Sequence, residues 1–534
     1  MSILEDFRNK EFLDQITILN EISGSKTPDA LPELIELLKN PVGDTSIDYM
    51  VVNALNAVLS SNENKIIEGL TDEHDGFRIL CIRVAGEHRL VRAAEPLVQI
   101  ARDEQDPDRL MEILTSLAHI GDPVALEVFR KHLGHEDAFI QSSCIEALGK
   151  LEDDESIDAF KAILTESEAP ERYEVCEIST WKAIEALATF NREDTLAFLV
   201  EKLHHKNPTV RRIITDALVN IGTPAIPMLL QSFESGDTDN KILAANVLGF
   251  VADRSGANGL VAAFDKGLAD DSNVRYAVYE ALGRIGTMKG IICLVDGLNE
   301  EDELILMAVI GGLEKHVNPG MISKLTDLII QANDQSDRLA KAIISSRATR
   351  IFDALYETAG AGDALMDALT ASRDAEIIEE FRAVLAEVGG SRAEEDMARL
   401  PQLAAGSFKA LAADDSRSMC AMHRAILSDL GFEPVIATNG EEAYDFVEQG
   451  EEFKIIITDM NMPVMDGMEL VTKLRNTPGY EDVPIIMVTT ESEATQVSLA
   501  EKAGVTAFIT KPFKPDALKA KIQEITALSR PEIG

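Results

Sequence analysis

With 534 residues, and 92 Asp plus Glu against 50 Lys plus Arg for a formal charge of −42, the chain is too long for one compact core. It is also too acidic to bind phosphate backbones or anionic lipid over its surface as a whole, which disfavours nucleic acid and membranes as partners. The five cysteines (Cys81, Cys144, Cys176, Cys293 and Cys420) are widely spaced with no CxxC pair, a usage that fits buried thiols in a reducing compartment better than a disulfide framework or a zinc site.

The N-terminus, Met1 to Phe7, lacks the basic start and apolar core of a signal peptide, and no apolar run approaches a membrane span. A cytoplasmic protein without membrane insertion is expected. The chain then repeats. Val210, Ile213, Ile214, Ala217, Leu218 and Ile221, followed by Gly222, fall on one face of an α-helix. Val274, Ala277, Val278, Ala281, Leu282 and Ile285, followed by Gly286, fall at the same offsets. A small-plus-apolar pair anchors each copy, at Ala54-Leu55, Val84-Ala85, Ser116-Leu117, Ala147-Leu148, Ala186-Leu187, Ala217-Leu218, Val247-Leu248, Ala281-Leu282 and Gly312-Leu313, with a weaker copy near Ile18-Leu19. After the anchor helix, Ile120-Gly121-Asp122-Pro123 supplies a terminating glycine, a capping aspartate and a proline for the first turn of the next helix. Ile221-Gly222-Thr223-Pro224 repeats that grammar with threonine expected as the cap. Two short helices with a period of roughly 31 residues describe an α-solenoid whose units bury their apolar faces against their neighbours. The pattern resembles the short bacterial HEAT repeat over residues 10 to 318.

Residues 319 to 388 keep a helical pattern without the anchor, interrupted at Thr358-Ala359-Gly360-Ala361-Gly362, and are expected as a helical extension or degenerate capping repeats. Residues 389 to 406, rich in Gly, Ala and Glu with Pro401, are expected as an interdomain linker. From residue 407 to 530 the pattern alternates between strand and helix. Strands are expected at Phe408 to Ala413, Pro434 to Ala437, Phe453 to Thr458, Val483 to Thr489 and Ala507 to Thr510. Five βα units in that length mean a parallel sheet covered on both faces, with ligands at the carboxyl ends of the strands.

Asp414 and Asp415 end the first strand, Asp459 the third, Thr489 the fourth and Lys511 the fifth. Three carboxylates brought together require a counterion, and a hard divalent cation fits, Mg2+ best. With the metal neutralising two of them, the third is free to attack a phosphoryl group while Lys511 and the Thr489 hydroxyl hold its oxygens. Asp459 is the nucleophile of choice, because a buried apolar strand delivers it into the Met-Asn-Met-Pro loop that follows.

On these residues, with Asp414-Asp415-Ser416, the run from Asp459 to Gly467, Thr489 and the segment Phe508 to Phe513, residues 408 to 528 resemble a response-regulator receiver domain of the chemotaxis type. Separations of 44 (415 to 459), 30 (459 to 489) and 22 (489 to 511) fit that family. The expected fold is thus multidomain, an all-α HEAT-like α-solenoid followed by an α/β (βα)5 doubly wound receiver domain. The resemblance implies phosphorylation of Asp459 by a histidine kinase, with Mg2+ held by Asp415, Asp459 and the Asn461 backbone carbonyl, and by Asp414 through water. It also implies a switch pair of Thr489 and Phe508, a cis peptide at Lys511-Pro512, and a short-lived phosphoryl group tuned by Asn461 and Glu491.

The receiver's only catalysis would be its own phosphorylation and dephosphorylation. The solenoid is expected to bind a protein partner that the sequence does not name. Competing readings make the receiver a phosphate sink or docking tag on a constitutive scaffold, or give the solenoid a lyase-like activity. A di-iron oxygenase is rejected, since His135-Glu136 is the only His-Glu pair in that order. Trp181, the one tryptophan, is expected in the core, the histidines as ordinary solvated or hydrogen-bonded groups, and the acidic excess as a solvated surface that keeps the solenoid soluble, its concave face open to basic partners.

Overall fold

The computed structural model describes residues 4, 6–169, 176–402, 408–489, 494–511 and 513–528. The chain divides into two compact units, Met1–Ser167 with Glu177–Phe190, and Glu168–Cys176 with Asn191–Gly534. No single helix among the described residues is long and apolar enough to cross a membrane.

In the first unit, paired helices follow the anticipated grammar. Gly121 ends helix Pro107–Ile120 in the left-handed region (φ 72°), donating its N–H to the Leu117 carbonyl, and the Asp122 carboxylate then accepts from Val124 N at 2.9 Å. Asp137 caps helix Ala138–Lys150 by accepting from the amides of Phe139 and Ile140. In the second unit the threonine cap is not formed. Gly222 (φ 72°) occupies the N-cap position before the turn Thr223–Ala225, and no side chain caps it. Asp271 and Asp302 cap the later anchor helices, Ser272–Ile285 and Glu303–Glu314.

The anchor pairs acquire a physical reason within each unit. A Cβ on Gly86 would lie 2.8 Å from the Ser116 Cα, and one on Gly149 would lie 2.7 Å from the Ala186 Cβ. In the second unit, Gly249 meets the Ala281 Cα at 2.9 Å and Gly283 meets the Gly312 Cα at 2.6 Å. The glycine just after one anchor therefore receives the small residue of the next. Successive helices approach closely there, and the repeat period is the spacing of those approaches.

Trp181 departs from the expectation of a core residue. The buried stripe of helix Ile178–Phe190 runs through Thr180, Ala183, Ile184 and Leu187, and Trp181 is off it, 48% exposed with Lys182 Nζ 5.9 Å from its ring. No cysteine among the described residues forms a disulfide, and only Cys81 and Cys144 are fully buried. Burial pushes both thiols up to about 12.

Five helices, Pro319–Ile329, Asp334–Ser345, Thr349–Tyr356, Ala361–Ala371 and Ala375–Val388, continue the second unit. The expected linker is in part a further helix, Gly390–Arg399. Asp396 accepts from Tyr356 Oη at 2.7 Å, Arg392 pairs with Asp363 at 2.9 Å and Ala393 is buried, so tertiary contacts override a composition suited to a loop.

Strands β1 (Phe408–Ala413), β2 (Phe432–Ala437), β3 (Phe453–Asp459), β4 (Ile485–Thr489) and β5 (Ala507–Thr510) form one parallel sheet in the order β2-β1-β3-β4-β5. The chain reverses its direction of winding between β1 and β3, where a doubly wound sheet opens a crevice at its carboxyl edge. Helix Arg417–Asp429 lies against the solenoid helices Glu303–Glu314 and Asp334–Ser345. Its Arg424 pairs with Glu376, and Ser428 Oγ donates to Asp374 at 2.9 Å.

Gly149→Ala is expected to cost about 1–3 kcal/mol by overpacking against Ala186. Gly311→Ala, whose Cβ would meet nothing within 4 Å, is expected to stabilise its helix by about 0.5–1 kcal/mol; urea unfolding followed by circular dichroism reads both. His423 is fully buried with no hydrogen-bond partner on either ring nitrogen, and burial pushes it down to about 3. It is neutral in the fold, so the unfolded chain gains a proton first as the pH drops below about 6.5, and roughly 2 kcal/mol is lost by pH 5. A His423→Leu chain is expected to show a smaller fall in urea midpoint between pH 7 and pH 5.

Candidate active site

Hydrophobic strands β1 and β3 carry their terminal polar residues into the crevice. Asp414 N donates to the Ala437 carbonyl, and the Asp414 carboxylate accepts from Ser416 N at 2.9 Å, which fixes the turn after β1. Asp459 is the last residue of β3. The loop after it folds back at Gly467, whose N–H donates to the Met460 carbonyl at 3.0 Å. A Cβ on Gly467 would fall 2.1 Å from the Asp459 carbonyl oxygen, so glycine is required for that closure. Asp466 caps the helix Gly467–Arg475 by accepting from Glu469 N.

Asp414, Asp415 and Asp459 each present a carboxylate oxygen, and these oxygens lie within 4.8 Å of one another. Lys511 Nζ, delivered by the residue after β5, reaches Asp414 Oδ2 at 3.0 Å and Asp459 Oδ1 at 3.2 Å. Burial raises the Asp459 carboxyl to about 7, Asp414 and Asp415 add to the rise, and Lys511 opposes it. Burial likewise raises Asp415, against the pull of Arg284. For Lys511, burial disfavours the charge, but Asp414 and Asp459 outweigh it and the ammonium is strengthened.

Thr489 is buried at the end of β4, its hydroxyl 3.9 Å from the Met460 sulfur, and its carbonyl accepts from Lys511 N at 2.7 Å. Phe508 lies on the adjacent strand β5, opposite Met487, partly buried against the core. Asp414, Asp415, Asp459, Thr489 and Lys511 are thus brought to one edge of the sheet. Glu491 and Pro512, and with Pro512 the expected cis peptide, lie outside the described residues.

The solenoid supplies the residues that sequence reasoning missed. Helix Pro208–Ile221 directs Arg211 Nε and Nη2 to Asn461 Oδ1, at 3.1 and 3.0 Å, and Thr209 Oγ1 donates to Asp466 Oδ2 at 2.8 Å. Arg212 pairs with Glu469 at 3.4 Å. From helix Ser272–Ile285, Arg284 Nη2 lies 3.1 Å from Asp415 Oδ2, Tyr276 Oη bonds Ser416 and lies 2.8 Å from Ser418 Oγ, and Asn273 donates to the Lys511 carbonyl at 3.4 Å. A cavity of about 310 Å3 remains, lined by Arg211, Arg284, Asp415, Asp459, Asn461 and Lys511 among others. The one available signal was the presence of Arg211-Arg212 and Arg284 on anchor helices of a chain so poor in basic residues.

Three hard carboxylate oxygens converging from the ends of β1 and β3 suit a divalent cation of the Mg2+ class, and nothing in the donor set favours a softer metal. In metal-free buffer the raised carboxyl of Asp459 means stability that is present at low pH and lost as the pH climbs through about 7. Asp459→Asn is therefore expected to stabilise the metal-free chain in urea unfolding at pH 8, by roughly 1–3 kcal/mol, and by less than half as much at pH 5, where the unfolded carboxyl is already ionised.

Two family models and several chemotaxis proteins are similar to parts of the chain. A family model described as the response regulator receiver domain matches residues 410–523, and one described as HEAT repeats matches residues 94–179, 180–249 and 226–314. A chemotaxis protein CheY homolog from Campylobacter jejuni is 47% identical over 119 residues, which make up 22% of this chain and 92% of that protein. The chemotaxis protein CheY1 of Helicobacter pylori is 42% identical over 119 residues, 22% of this chain and 96% of its own length. Among solved structures, the chemotaxis response regulator CheY4 of Vibrio cholerae aligns at 37% identity over 23% of this chain and 99% of its own, with a TM-score of 0.22.

Proposed function

The chain belongs to the response-regulator receiver family through its C-terminal domain, and from that premise we propose that it is a phosphorelay protein whose acceptor is Asp459 and whose output is carried by the HEAT repeats. The observation that carries this reading is the placement of Lys511 Nζ between Asp414 and Asp459, beside a third carboxylate and the Thr489 hydroxyl, all at one buried sheet edge. Such an arrangement sets a fixed positive charge beside the nucleophilic carboxylate, where the oxygens of a transferring phosphoryl group would lie.

In the proposed reaction an oxygen of Asp459 attacks the phosphorus of a phosphohistidine presented by a histidine kinase. The O–P bond forms as the N–P bond breaks, and the electron pair returns to the imidazole nitrogen. Lys511 stabilises the charge on the transferring oxygens, and Thr489 donates to one of them. Mg2+, when held by Asp414, Asp415, Asp459 and the Asn461 carbonyl, would supply the further positive charge that lets the anionic donor approach. Water later attacks phosphorus, the O–P bond breaks, and orthophosphate leaves the Asp459 carboxylate regenerated. Asn461, beside the acceptor, is positioned to influence that water. Thr489 and Phe508 act as the switch pair on adjacent strands, and the repeats, residues 1–318, are joined to the receiver, residues 407–530, through the helical extension 319–388 and the helix Gly390–Arg399. Beyond this self-directed chemistry the chain acts by binding a protein partner in the cytoplasm.

Coupling between receiver and solenoid is favoured over an uncoupled phosphate sink or docking tag, because Arg211, Tyr276 and Arg284 touch the receiver at the acceptor site itself. Incubation of the full chain with radiolabelled acetyl phosphate and Mg2+ tests the acceptor: label is expected on the native chain and absent from Asp459→Asn. Retention of native labelling in that variant would overturn the assignment. After removal of donor, Asn461→Ala is expected to lose its label several-fold more slowly than the native chain, and equal decay would count against the role given to Asn461.

A further inference from the structure

Asp415 is shared between two demands. It is one of the three carboxylates proposed to hold a divalent cation, and its Oδ2 is 3.1 Å from Arg284 Nη2, which also lies 3.4 Å from the Asp415 carbonyl. Arg284 is not a mobile surface arginine that has drifted onto an acid. Its guanidinium carbon stands 4.4 Å from the centre of the Phe250 ring, on the preceding anchor helix, and Glu280 lies 3.9 Å away, one turn back on its own helix. A cation–π contact and an intrahelical acid thus hold the group in place from the solenoid side. Tyr276 and Glu280 of the same helix face bond Ser416 and Ser418, the first residues beyond the acidic pair. The solenoid therefore presents one built surface, with a fixed cation at its centre, to the three carboxylates.

A guanidinium and a divalent cation at one carboxylate repel each other and compete for its lone pairs. We propose that Arg284 is the resting counterion of Asp415, beside Lys511 on the other two carboxylates, so that divalent-cation binding and docking of helix Ser272–Ile285 onto the receiver oppose one another. This inference rests on the reading of Asp414, Asp415 and Asp459 as a cation site. Metal entering the pocket displaces Arg284 from Asp415, and with it Tyr276 and Glu280 lose their hold on Ser416 and Ser418. By thermodynamic reciprocity, the docked solenoid lowers the affinity of the pocket for the metal. The receiver's first intramolecular partner is then the arginine-bearing face of its own repeats, and a kinase meets an open acceptor once that face has moved away.

The test uses the full chain and Mn2+ as the probe, with free ion counted by electron paramagnetic resonance. Arg284→Gln is expected to bind Mn2+ about tenfold more tightly than the native chain, within the range that coupled sites show. Arg275→Gln removes a cation from the same helix that pairs with Glu300 rather than with the receiver, and it is expected to match the native affinity. A second readout needs no variant: Mg2+ is expected to speed amide hydrogen exchange in residues 272–285 of the native chain, and to leave the already faster exchange of Arg284→Gln unchanged. Equal Mn2+ affinity in native and Arg284→Gln chains would mean that Asp415 serves both cations through separate oxygens, and would overturn the proposal while leaving the metal site intact. Failure of the native chain and Arg284→Gln alike to bind Mn2+ would overturn the cation site as well.

Discussion

Asp414, Asp415 and Asp459 cannot share one buried pocket as three anions unless positive charge meets them there. Most of what is distinctive in the second unit answers that demand. Lys511 bridges two of the carboxylates from β5, and Arg284 reaches the third from a helix of the solenoid. Burial is the main reason the Asp459 carboxyl rises to about 7, and its two acidic neighbours add to that rise against the pull of Lys511. A pocket left short of positive charge is one in which a divalent cation gains from binding, and in which the solenoid arginine has a competitor.

That electrostatic demand rests on packing that has nothing to do with charge. Gly249 and Gly283 let the helices of neighbouring repeats approach to backbone contact, which brings Phe250 under Arg284 and places Tyr276, Glu280 and Arg284 along one helix face. Gly467 performs the matching service in the receiver, folding the loop after Asp459 back on its strand so that Asn461 and Asp466 face Arg211 and Thr209. In both domains the residue without a side chain determines where the charged side chains arrive. Substitutions at these glycines would therefore disturb the site without touching any group that takes part in it.

The strands and the acidic, threonine and lysine positions were legible because each depends on a local pattern. A run of β-branched residues ending in Asp or Thr is a buried strand emerging at a sheet edge, whatever lies elsewhere in the chain. Boundaries shifted by a residue or two, as where β2 begins at Phe432 rather than Pro434. The segment 389–406 read as a linker because Gly and Ala dominate it. The helix Gly390–Arg399 forms nonetheless, since Tyr356 and Asp363 hold it from outside and its own Ala393 is buried. Trp181 was misjudged for a related reason: tryptophan favours burial on average, but the helix stripe at that point passes through Thr180 and Ile184 instead.

By itself the sequence determined the repeat and its close-packing residues, the order of strands and helices, and the carboxylates, lysine and threonine at the strand ends. Each of these follows from periods of two, 3.6 or about 31 residues, which are properties of neighbours along the chain. Only the tertiary structure decided that Arg284 would lie against Asp415, 131 residues away, and Arg211 against Asn461, 250 residues away. Those pairings depend on how the repeats stack and on where the last helices return the chain. Small rotations between successive repeats accumulate into that position, and no local pattern of residues records their sum.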